Sequence, residues 1–188
     1  MTVPRELDQR FRDAAVHAGL LDAAYDVIES PVGPLLVATT DRGVLRISYV
    51  NGFEPEATLE DIARVAGKRV LRASRAVDDA RHELDEYFTG SREQFDLTVD
   101  LRGQPAFGVI VLGELAKVPY GETATYGELA ARAGSPKAAR AVGMVMNRNP
   151  IPIVLPCHRI VGASGKLVGY AGGLDRKEQL LRLEGAML

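Results

Sequence analysis

The stretch that most constrains this chain is the proline-rich run NPIPIVLPCHR, which leads into its only cysteine, Cys157. Prolines such as Pro152 and Pro156 fix the backbone angle φ and push the preceding residue towards extended geometry. His158 and Arg159 follow the cysteine directly. A single thiol at the end of a stiff apolar run, with a base and a cation beside it, is a candidate nucleophile. A buried structural cysteine is the alternative, because cysteine is among the most buried residue types.

The composition is that of an ordinary globular protein. The chain has 188 residues, 46% hydrophobic and 26% charged, which suits one domain or two small ones. One cysteine excludes an internal disulfide framework and suits a reducing compartment. No apolar run is long enough for a membrane span, and the charged N-terminus has no apolar signal region. We therefore expect a cytoplasmic protein without a membrane partner.

Charge is distributed unevenly along the chain. Residues 1–104 carry 13 Lys and Arg against 19 Asp and Glu, a balance of −6, whereas residues 105–188 carry 10 against 6, a balance of +4. Residues 129–174 contain no acidic residue at all. A basic surface without carboxylates suits a polyanion, because each neutralised phosphate releases counterions. The second half of the chain is therefore expected to bind nucleic acid, and we place a domain boundary after residue 104.

The first half shows the patterns of a small α/β domain. Short β-branched runs separated by turn residues predict an antiparallel meander of three strands, and amphipathic runs predict helices. The meander covers 24–30, 35–40 and 44–50, and a further strand is predicted at 95–101. The predicted helices cover 4–18, 56–66 and 75–89.

The second half reads as helical, with helix-turn-helix spacing. Helices are predicted at 107–118, 126–133 and 136–147. Thr125 is expected to cap the second of them in a capping box with Glu128, and Ser135 to cap the third, with Pro136 at its first position. The third helix combines small residues with two cations, which suits close approach to a DNA groove; close helix–helix packing is the alternative. These residues are Lys137, Ala138, Ala139, Arg140, Ala141 and Gly143.

A glycine-rich loop and a final helix complete the chain. The loop at 160–173 contains Gly169 and Tyr170, and it allows close backbone approach to a planar ligand. The helix predicted at 174–185 ends near Glu184. A carboxylate at that end opposes the helix dipole, so Glu184 is expected to have a partner.

Taken together, three motifs resemble the O6-alkylguanine-DNA alkyltransferase family, the methylated-DNA–protein-cysteine methyltransferases. They are VPYGETATYGELA (118–130), GSPKAARAVGMVMNRNPIPIVLPCHRIVG (134–162) and SGKLVGYAGGLDRKEQLLRLEG (164–185). The N-terminal run SPVGPLLVATTDRGVLRI is also typical of the family. The resemblance implies an α+β fold. Residues 1–104 would form a small domain with an antiparallel, RNase H-like sheet, and residues 105–188 a helical domain with a winged helix-turn-helix-like motif for DNA binding and alkyl transfer.

The resemblance also implies roles in the chemistry. Cys157 would accept the alkyl group, His158 would take the thiol proton through a water, and Glu184 would orient the histidine. The Tyr126 hydroxyl would meet the guanine ring as it leaves. The reaction, an in-line displacement at carbon, needs an activated thiol and a donor for the leaving group. It needs no cofactor. Because nothing regenerates the thioether, each molecule would act once in repairing damaged DNA.

Further roles concern the DNA. Arg140 would enter the duplex and hold the space of the flipped base. Asn149 would brace the turn that presents the active site, and the loop around Tyr170 and Ala171 would form one wall of the base pocket. The implied partner is duplex DNA containing O6-alkylguanine, met by a monomer. Activity on O4-alkylthymine and clustering of copies on DNA stay open.

The chain departs from the family pattern in places. Leu112 stands where a tryptophan is common, which we expect to alter packing rather than chemistry. Ala171 stands where some members have serine, which removes one hydroxyl from the pocket. Some relatives carry a structural zinc; with Cys157 as the only cysteine and three histidines, we expect no metal site.

Three other functions compete with this interpretation. A lesion-binding protein that transfers nothing would not need Cys157. A cysteine hydrolase would need a direct Cys157–His158 contact, which adjacent residues in an extended segment make poorly. A plain helix-turn-helix regulator would not need the Cys-His-Arg stretch.

Overall fold

A four-stranded sheet forms the centre of the N-terminal half. In the computed structural model, which describes residues 4–50 and 56–186, strands β1 to β3 pair antiparallel, as the predicted meander requires. A fourth strand, which the sequence patterns did not predict, pairs parallel with β1 and gives the order β3-β2-β1-β4. The sheet is therefore mixed rather than wholly antiparallel, because a helical crossover between β3 and β4 returns the chain in the same direction. The strands are β1 (Ala23–Ile28), β2 (Leu35–Thr40), β3 (Gly43–Tyr49) and β4 (Val70–Arg72).

Three predicted helices of this half are present: α1 (Arg5–His17), α2 (Glu56–Ala66) and α3 (Asp78–Phe88). A single 3₁₀ turn, Ser74–Val77, precedes α3, so this helix starts later than predicted. Helix α2 packs Ile62 against Leu36, Ala38 and Leu45 of the sheet. That buried cluster holds the crossover helix on the sheet.

The predicted strand at 95–101 is wrong. Only an isolated bridge joins Val99 to Val44, with the Val44 N–H donating to the Thr98 carbonyl (2.9 Å) and the Asp100 N–H to the Val44 carbonyl (2.8 Å). The buried Asp100 carboxylate then accepts from the Arg102 backbone N–H (3.1 Å). This side chain-to-backbone bond turns the chain and ends the extended run.

The C-terminal half consists of helices, the loops that join them and one small parallel ladder. Helix α5 packs on α6, and α4 packs on both. Leu112 is completely buried in α4, so its departure from the family's tryptophan falls on a packing position. The elements are α4 (Ala106–Leu115), β5 (Ala124–Thr125), α5 (Tyr126–Arg132), α6 (Ala139–Asn147), β6 (Ile160–Val161) and α7 (Leu174–Leu183).

The two predicted helix caps had different outcomes. The capping box of α5 is confirmed: Thr125 Oγ1 accepts from the Glu128 N–H (3.1 Å), and Glu128 Oε2 accepts from the Thr125 N–H (2.7 Å). The Ser135 cap is wrong, because α6 begins only at Ala139. Instead, the Ala138 N–H donates to the Ser135 carbonyl (2.8 Å). This closes a turn with Pro136 at its second position, where proline is favoured.

The chain separates into two compact units. The first contains the described residues up to Glu86 and Asp96–Arg102, and the second contains Tyr87–Phe95 and the described residues from Gly103 onward. Tyr87–Phe95 therefore belongs with the second unit, although it precedes the boundary predicted after residue 104. Within the described ranges, no helix has the length and apolar character needed to cross a bilayer.

The backbone at Gly43 approaches Thr98 closely, and replacement of this glycine tests the packing there. Its φ is +121°, and an added Cβ would overlap the Thr98 carbonyl. We expect Gly43→Ala to lower the free energy of unfolding by about 2 kcal/mol or more. Gly19→Ala is the control: Gly19 also has a positive φ, but open space surrounds its Cα, so about 1 kcal/mol is expected. Urea unfolding measures both, and equal losses would contradict the close approach.

Candidate active site

A short buried turn presents the cysteine, and Asn149 holds this turn closed. Asn149 Nδ2 donates to the Leu155 carbonyl (2.7 Å), and its Oδ1 accepts from the Ile151 N–H (3.1 Å). The Leu155 N–H also donates to the Ile151 carbonyl (2.9 Å). Asn149 therefore lies where the family resemblance expects a brace.

The turn contains a strained residue. Ile153 has φ +76°, which is a genuine outlier for a β-branched side chain, and it is completely buried. Such a conformation costs about 1–3 kcal/mol and persists only where its surroundings impose it. Pro152 and Pro156 are buried on either side of it. The Asn149 hydrogen bonds and the two prolines supply that restraint, so the position of Cys157 is set by more than local preference.

Cys157 begins a single 3₁₀ turn, Cys157–Arg159, and only 4% of its surface is exposed. Burial raises the pKa of its thiol to about 11, although a hydrogen bond from Asn149 and the charge of Lys177 act in the opposite direction. The group is therefore a thiol rather than a thiolate at neutral pH. A nucleophilic role needs a base that removes the proton during the reaction.

Glu184, at the C-terminal end of α7, is the centre of the buried polar network. Its Oε1 accepts hydrogen bonds from Tyr87 Oη (2.6 Å), His158 Nε2 (2.8 Å) and an Arg159 terminal nitrogen (2.9 Å). Its Oε2 accepts from Arg159 Nε (2.9 Å). Glu184 is expected to have a partner because of its position at a helix end. It has three: Tyr87, His158 and Arg159.

The network assigns the protonation state of the histidine. Burial alone would raise the pKa of Glu184, but the hydrogen bonds from His158 and Arg159 lower it to about 2. Burial lowers the pKa of His158, so its ring is neutral at pH 7. Because ionised Glu184 can only accept, His158 carries its proton on Nε2. Its Nδ1 is then a free lone pair, buried and without a hydrogen-bond partner among the described residues.

The cation that follows the cysteine in sequence does not act on the thiol. Arg159 is buried against Glu184, donates to the Val118 carbonyl (2.6 Å), and lies 5.7 Å from the centre of the Tyr120 ring. The expectation that the cation next to Cys157 in sequence assists the thiol therefore needs correction. The positive charge that favours the thiolate is that of Lys177. With about three residues per turn, side chains two positions apart in a 3₁₀ turn point in different directions, which separates Arg159 from Cys157.

Sequence reasoning missed Lys177, which is completely buried in α7. Its Nζ donates to the carbonyls of Ile160 (2.5 Å) and Val168 (3.0 Å), and burial lowers its pKa to about 8. Lys177 precedes Leu180, Leu181 and Glu184 by three, four and seven residues, which places it on the buried face of the helix. This spacing could have identified Lys177 as a buried residue from the sequence.

Tyr126, the first residue of α5, lies beside both α6 and the glycine-rich loop. Its hydroxyl donates to the Val168 carbonyl (3.3 Å), and burial, followed by the nearby Cys157, raises its pKa. A side chain at Gly169 would lie 3.9 Å from this hydroxyl, and one at Gly143 would lie 3.9 Å from the ring. Glycine at these two positions therefore keeps space open beside Tyr126.

The other predicted site residues lie around this centre. In the loop, Tyr170 is half-buried and Ala171 is exposed. On the helix-turn-helix, Lys137 and Arg140 are exposed, and neither forms an ion pair within the described residues. Met144, one turn beyond Arg140, is 58% exposed. The small residues of this segment are half-buried: Ser135, Ala138, Ala139, Ala141 and Gly143.

No metal ligands are assigned. In the part of the chain that the structure describes, no three histidine, cysteine or carboxylate side chains are grouped so that they could hold an ion.

The low pKa of Glu184 predicts how stability depends on pH. A carboxyl whose pKa falls from 4.5 to about 2 on folding contributes stability above pH 4.5, and loses it as the pH falls towards 2. The gap in unfolding free energy between the wild type and Glu184→Gln should therefore narrow by about 2 kcal/mol between pH 7 and pH 3. Urea unfolding at several pH values measures it, and a constant gap would contradict the ionised network. Glu178→Gln, on the exposed side of the same helix, removes a surface ion pair with Arg182 and should change stability by less than about 0.5 kcal/mol.

Both halves of the chain are similar to known proteins. Residues 23–101 match the family model "6-O-methylguanine DNA methyltransferase, ribonuclease-like domain", and residues 106–186 match its "DNA binding domain". The methylated-DNA–protein-cysteine methyltransferase of Methanosarcina barkeri is 44% identical over 85% of this chain and 96% of its own. The Mycolicibacterium paratuberculosis protein of the same name is 44% identical over 85% of this chain and 91% of its own. The crystal structure of Mycobacterium tuberculosis OGT in complex with DNA has a TM-score of 0.75 and 39% identity, covering 87% of this chain and 93% of that one. The chain belongs to the 6-O-methylguanine-DNA methyltransferase family and is a methylated-DNA–protein-cysteine methyltransferase, a DNA repair enzyme.

Proposed function

We propose that this enzyme repairs duplex DNA by moving the alkyl group of O6-alkylguanine onto Cys157 Sγ. The observation that carries the proposal is the pairing of a buried thiol with a neutral imidazole. The Nε2–H of His158 is committed to Glu184, and its Nδ1 is free to accept a proton. A base, a nucleophile and an orienting group are the three parts that covalent transfer requires.

The bonds that form and break can be followed atom by atom. Sγ attacks the alkyl carbon in line, so that the Sγ–C bond forms while the C–O6 bond breaks and its electron pair stays on guanine. The thiol proton passes to His158 Nδ1 through a bridging water. Tyr126 keeps its proton because burial raises its pKa, so its hydroxyl donates a hydrogen bond to the guanine ring as charge builds there. The thiol proton finally reaches guanine, and a thioether remains on Cys157.

The thioether ends the activity of the molecule. A thioether sulfur lacks the displaceable proton of a thiol, and the next substrate finds no nucleophile at position 157. Each molecule therefore acts once, and repair is stoichiometric.

The target base has to leave the duplex. Cys157 is 4% exposed, so it cannot reach O6 of a stacked base, and the nucleotide must rotate into the pocket beside Tyr126. Arg140 is exposed on α6 and free of ion pairs within the described residues, so its side chain is available to occupy the gap in the stack. Lys137, also exposed, would contact phosphate.

Residues 105–188 carry both DNA binding and transfer in this proposal, and every residue with an assigned role lies among them. We further propose that the enzyme meets DNA as a monomer. A reducing cytoplasm is part of the same proposal, because the single thiol must stay unoxidised until it meets its substrate.

Mass spectrometry tests the transfer. The intact protein is mixed with a duplex containing O6-methylguanine, and the result expected is the gain of one methyl group, located on Cys157. Cys157→Ala should gain none. An unchanged wild-type mass with intact substrate would rule out the proposed reaction.

The role of Arg140 can be separated from the chemistry by its substrate dependence. Arg140→Ala should slow transfer from duplex O6-methylguanine at least about tenfold, because the flipped state loses its support. Transfer from free O6-benzylguanine needs no flipping and should be nearly unchanged. Arg182→Ala is the matched control, since this exposed arginine is paired with Glu178 on α7 and should affect neither substrate. Equal loss on both substrates for Arg140→Ala would show that the residue serves another purpose.

A further inference from the structure

One buried hydroxyl in the network has no part in the reaction described above. Tyr87, in the last turn of α3, is completely buried and donates to Glu184 Oε1 at 2.6 Å. Burial raises the pKa of Tyr87, so its hydroxyl remains a donor at every pH of interest. Its ring is held by three aromatic neighbours, Phe88, Phe95 and Tyr120.

Tyr87 and His158 compete for the same oxygen. Glu184 Oε1 accepts from both of them and from Arg159, whereas Oε2 accepts from Arg159 alone among the residues that the structure describes. Hydrogen bonds to an ionised acceptor are strong, and each one draws on the negative charge available to the others. Less charge on Oε1 means weaker support for a protonated imidazole. The Tyr87 hydroxyl is therefore placed to act on His158 without touching it.

We propose that Tyr87 is a positioning residue for alkyl transfer: its hydroxyl fixes Glu184 Oε1 and limits how strongly that oxygen stabilises protonated His158. The base strength of His158 Nδ1 towards the thiol is set in this way. The inference rests on the proposed role of His158 as the base. The segment Tyr87–Phe95, which belongs to the second compact unit, thus supplies a donor to the catalytic network.

The other groups around His158 either carry a charge or do not donate to Glu184 Oε1, so none of them acts on His158 as the Tyr87 hydroxyl does. Arg159 on the same turn and Lys177 on α7 are cations that lower its pKa, and Glu184 raises it. Cys157 precedes it, and Tyr120 faces Glu184 and Arg159 from the segment after α4. Tyr87 is uncharged. Its hydroxyl can therefore be removed without changing the net charge of the site, which isolates the hydrogen bond.

Tyr87→Phe is the direct test. The single-turnover rate of methyl transfer from an O6-methylguanine duplex is measured from about pH 5 to pH 9. Without the Tyr87 donor, Oε1 supports the imidazolium better, and the acid limb of the profile should move up by about 0.5–1 pH unit. At a pH below the wild-type limb, this lowers the rate roughly 3- to 10-fold. A limb that stays within about 0.2 pH unit of the wild type overturns the inference, including the case in which the rate falls equally at all pH values.

A second variant gives the opposite shift and keeps the ring in place. 3,5-Difluorotyrosine at position 87 has a more acidic hydroxyl and is a stronger donor, so the acid limb should move to lower pH. This variant decides the matter if Tyr87→Phe does not fold, and an unmoved or raised limb overturns the inference. Tyr120→Phe is the matched control: its hydroxyl donates to the Leu183 carbonyl (3.1 Å) rather than to Glu184, so its limb should stay in place.

The two levels of proposal fail differently. A wild-type protein that transfers no methyl group contradicts the proposed function and with it the role of Tyr87. A wild type that transfers the group, together with a Tyr87→Phe limb that does not move, contradicts the role of Tyr87 alone.

Discussion

The C-terminal half depends on the hydrogen bonds that one buried, ionised carboxylate, that of Glu184, accepts. A buried charge is tolerated only when donors replace the lost water, and here three side chains do so. Tyr87 comes from the end of α3, and His158 and Arg159 come from the Cys157–Arg159 turn. Arg159 also donates to the Val118 carbonyl. Removing the carboxylate would therefore leave Arg159 buried without its partner as well as freeing the histidine. In the proposed reaction, stability and catalysis depend on the same atoms, which gives a reason for a carboxylate at a helix end where the dipole disfavours it.

The second constraint is that the proposed nucleophile is inactive at rest. Burial keeps Cys157 as a thiol, and it keeps His158 neutral with its proton on Nε2. Lys177 lies close enough to favour a thiolate, while its hydrogen bonds to the Ile160 and Val168 carbonyls tie the glycine-rich loop to α7. Charge separation between sulfur and imidazole is thus unfavourable until a substrate completes the site. This arrangement suits a protein whose thiol can be used once.

Local patterns predicted the local features well. The capping box of Thr125 and Glu128 involves neighbours three residues apart, and the three-strand meander follows from runs and turns. The failures involve distant contacts or competing turns. Ser135 followed by Pro136 predicts a helix start, but the same residues form a turn closed by Ala138, and α6 starts one turn later. The hydroxyl of Tyr87 has its partner 97 residues away, at Glu184, which no helical periodicity reveals. The charge pattern placed a boundary after residue 104, yet packing draws Tyr87–Phe95 into the second unit.

The tautomer of His158 is the most direct measure of whether Glu184 organises the site. Nitrogen-15 NMR of the histidine-labelled enzyme, free of DNA at pH 7, distinguishes the three protonation states of the ring. The hydrogen bond to Glu184 and the depressed pKa of the buried ring predict a neutral imidazole protonated on Nε2, with an unprotonated Nδ1. A ring protonated on Nδ1, or on both nitrogens, would mean that no lone pair is available to the thiol proton, and would contradict the proposed path from Cys157 to His158.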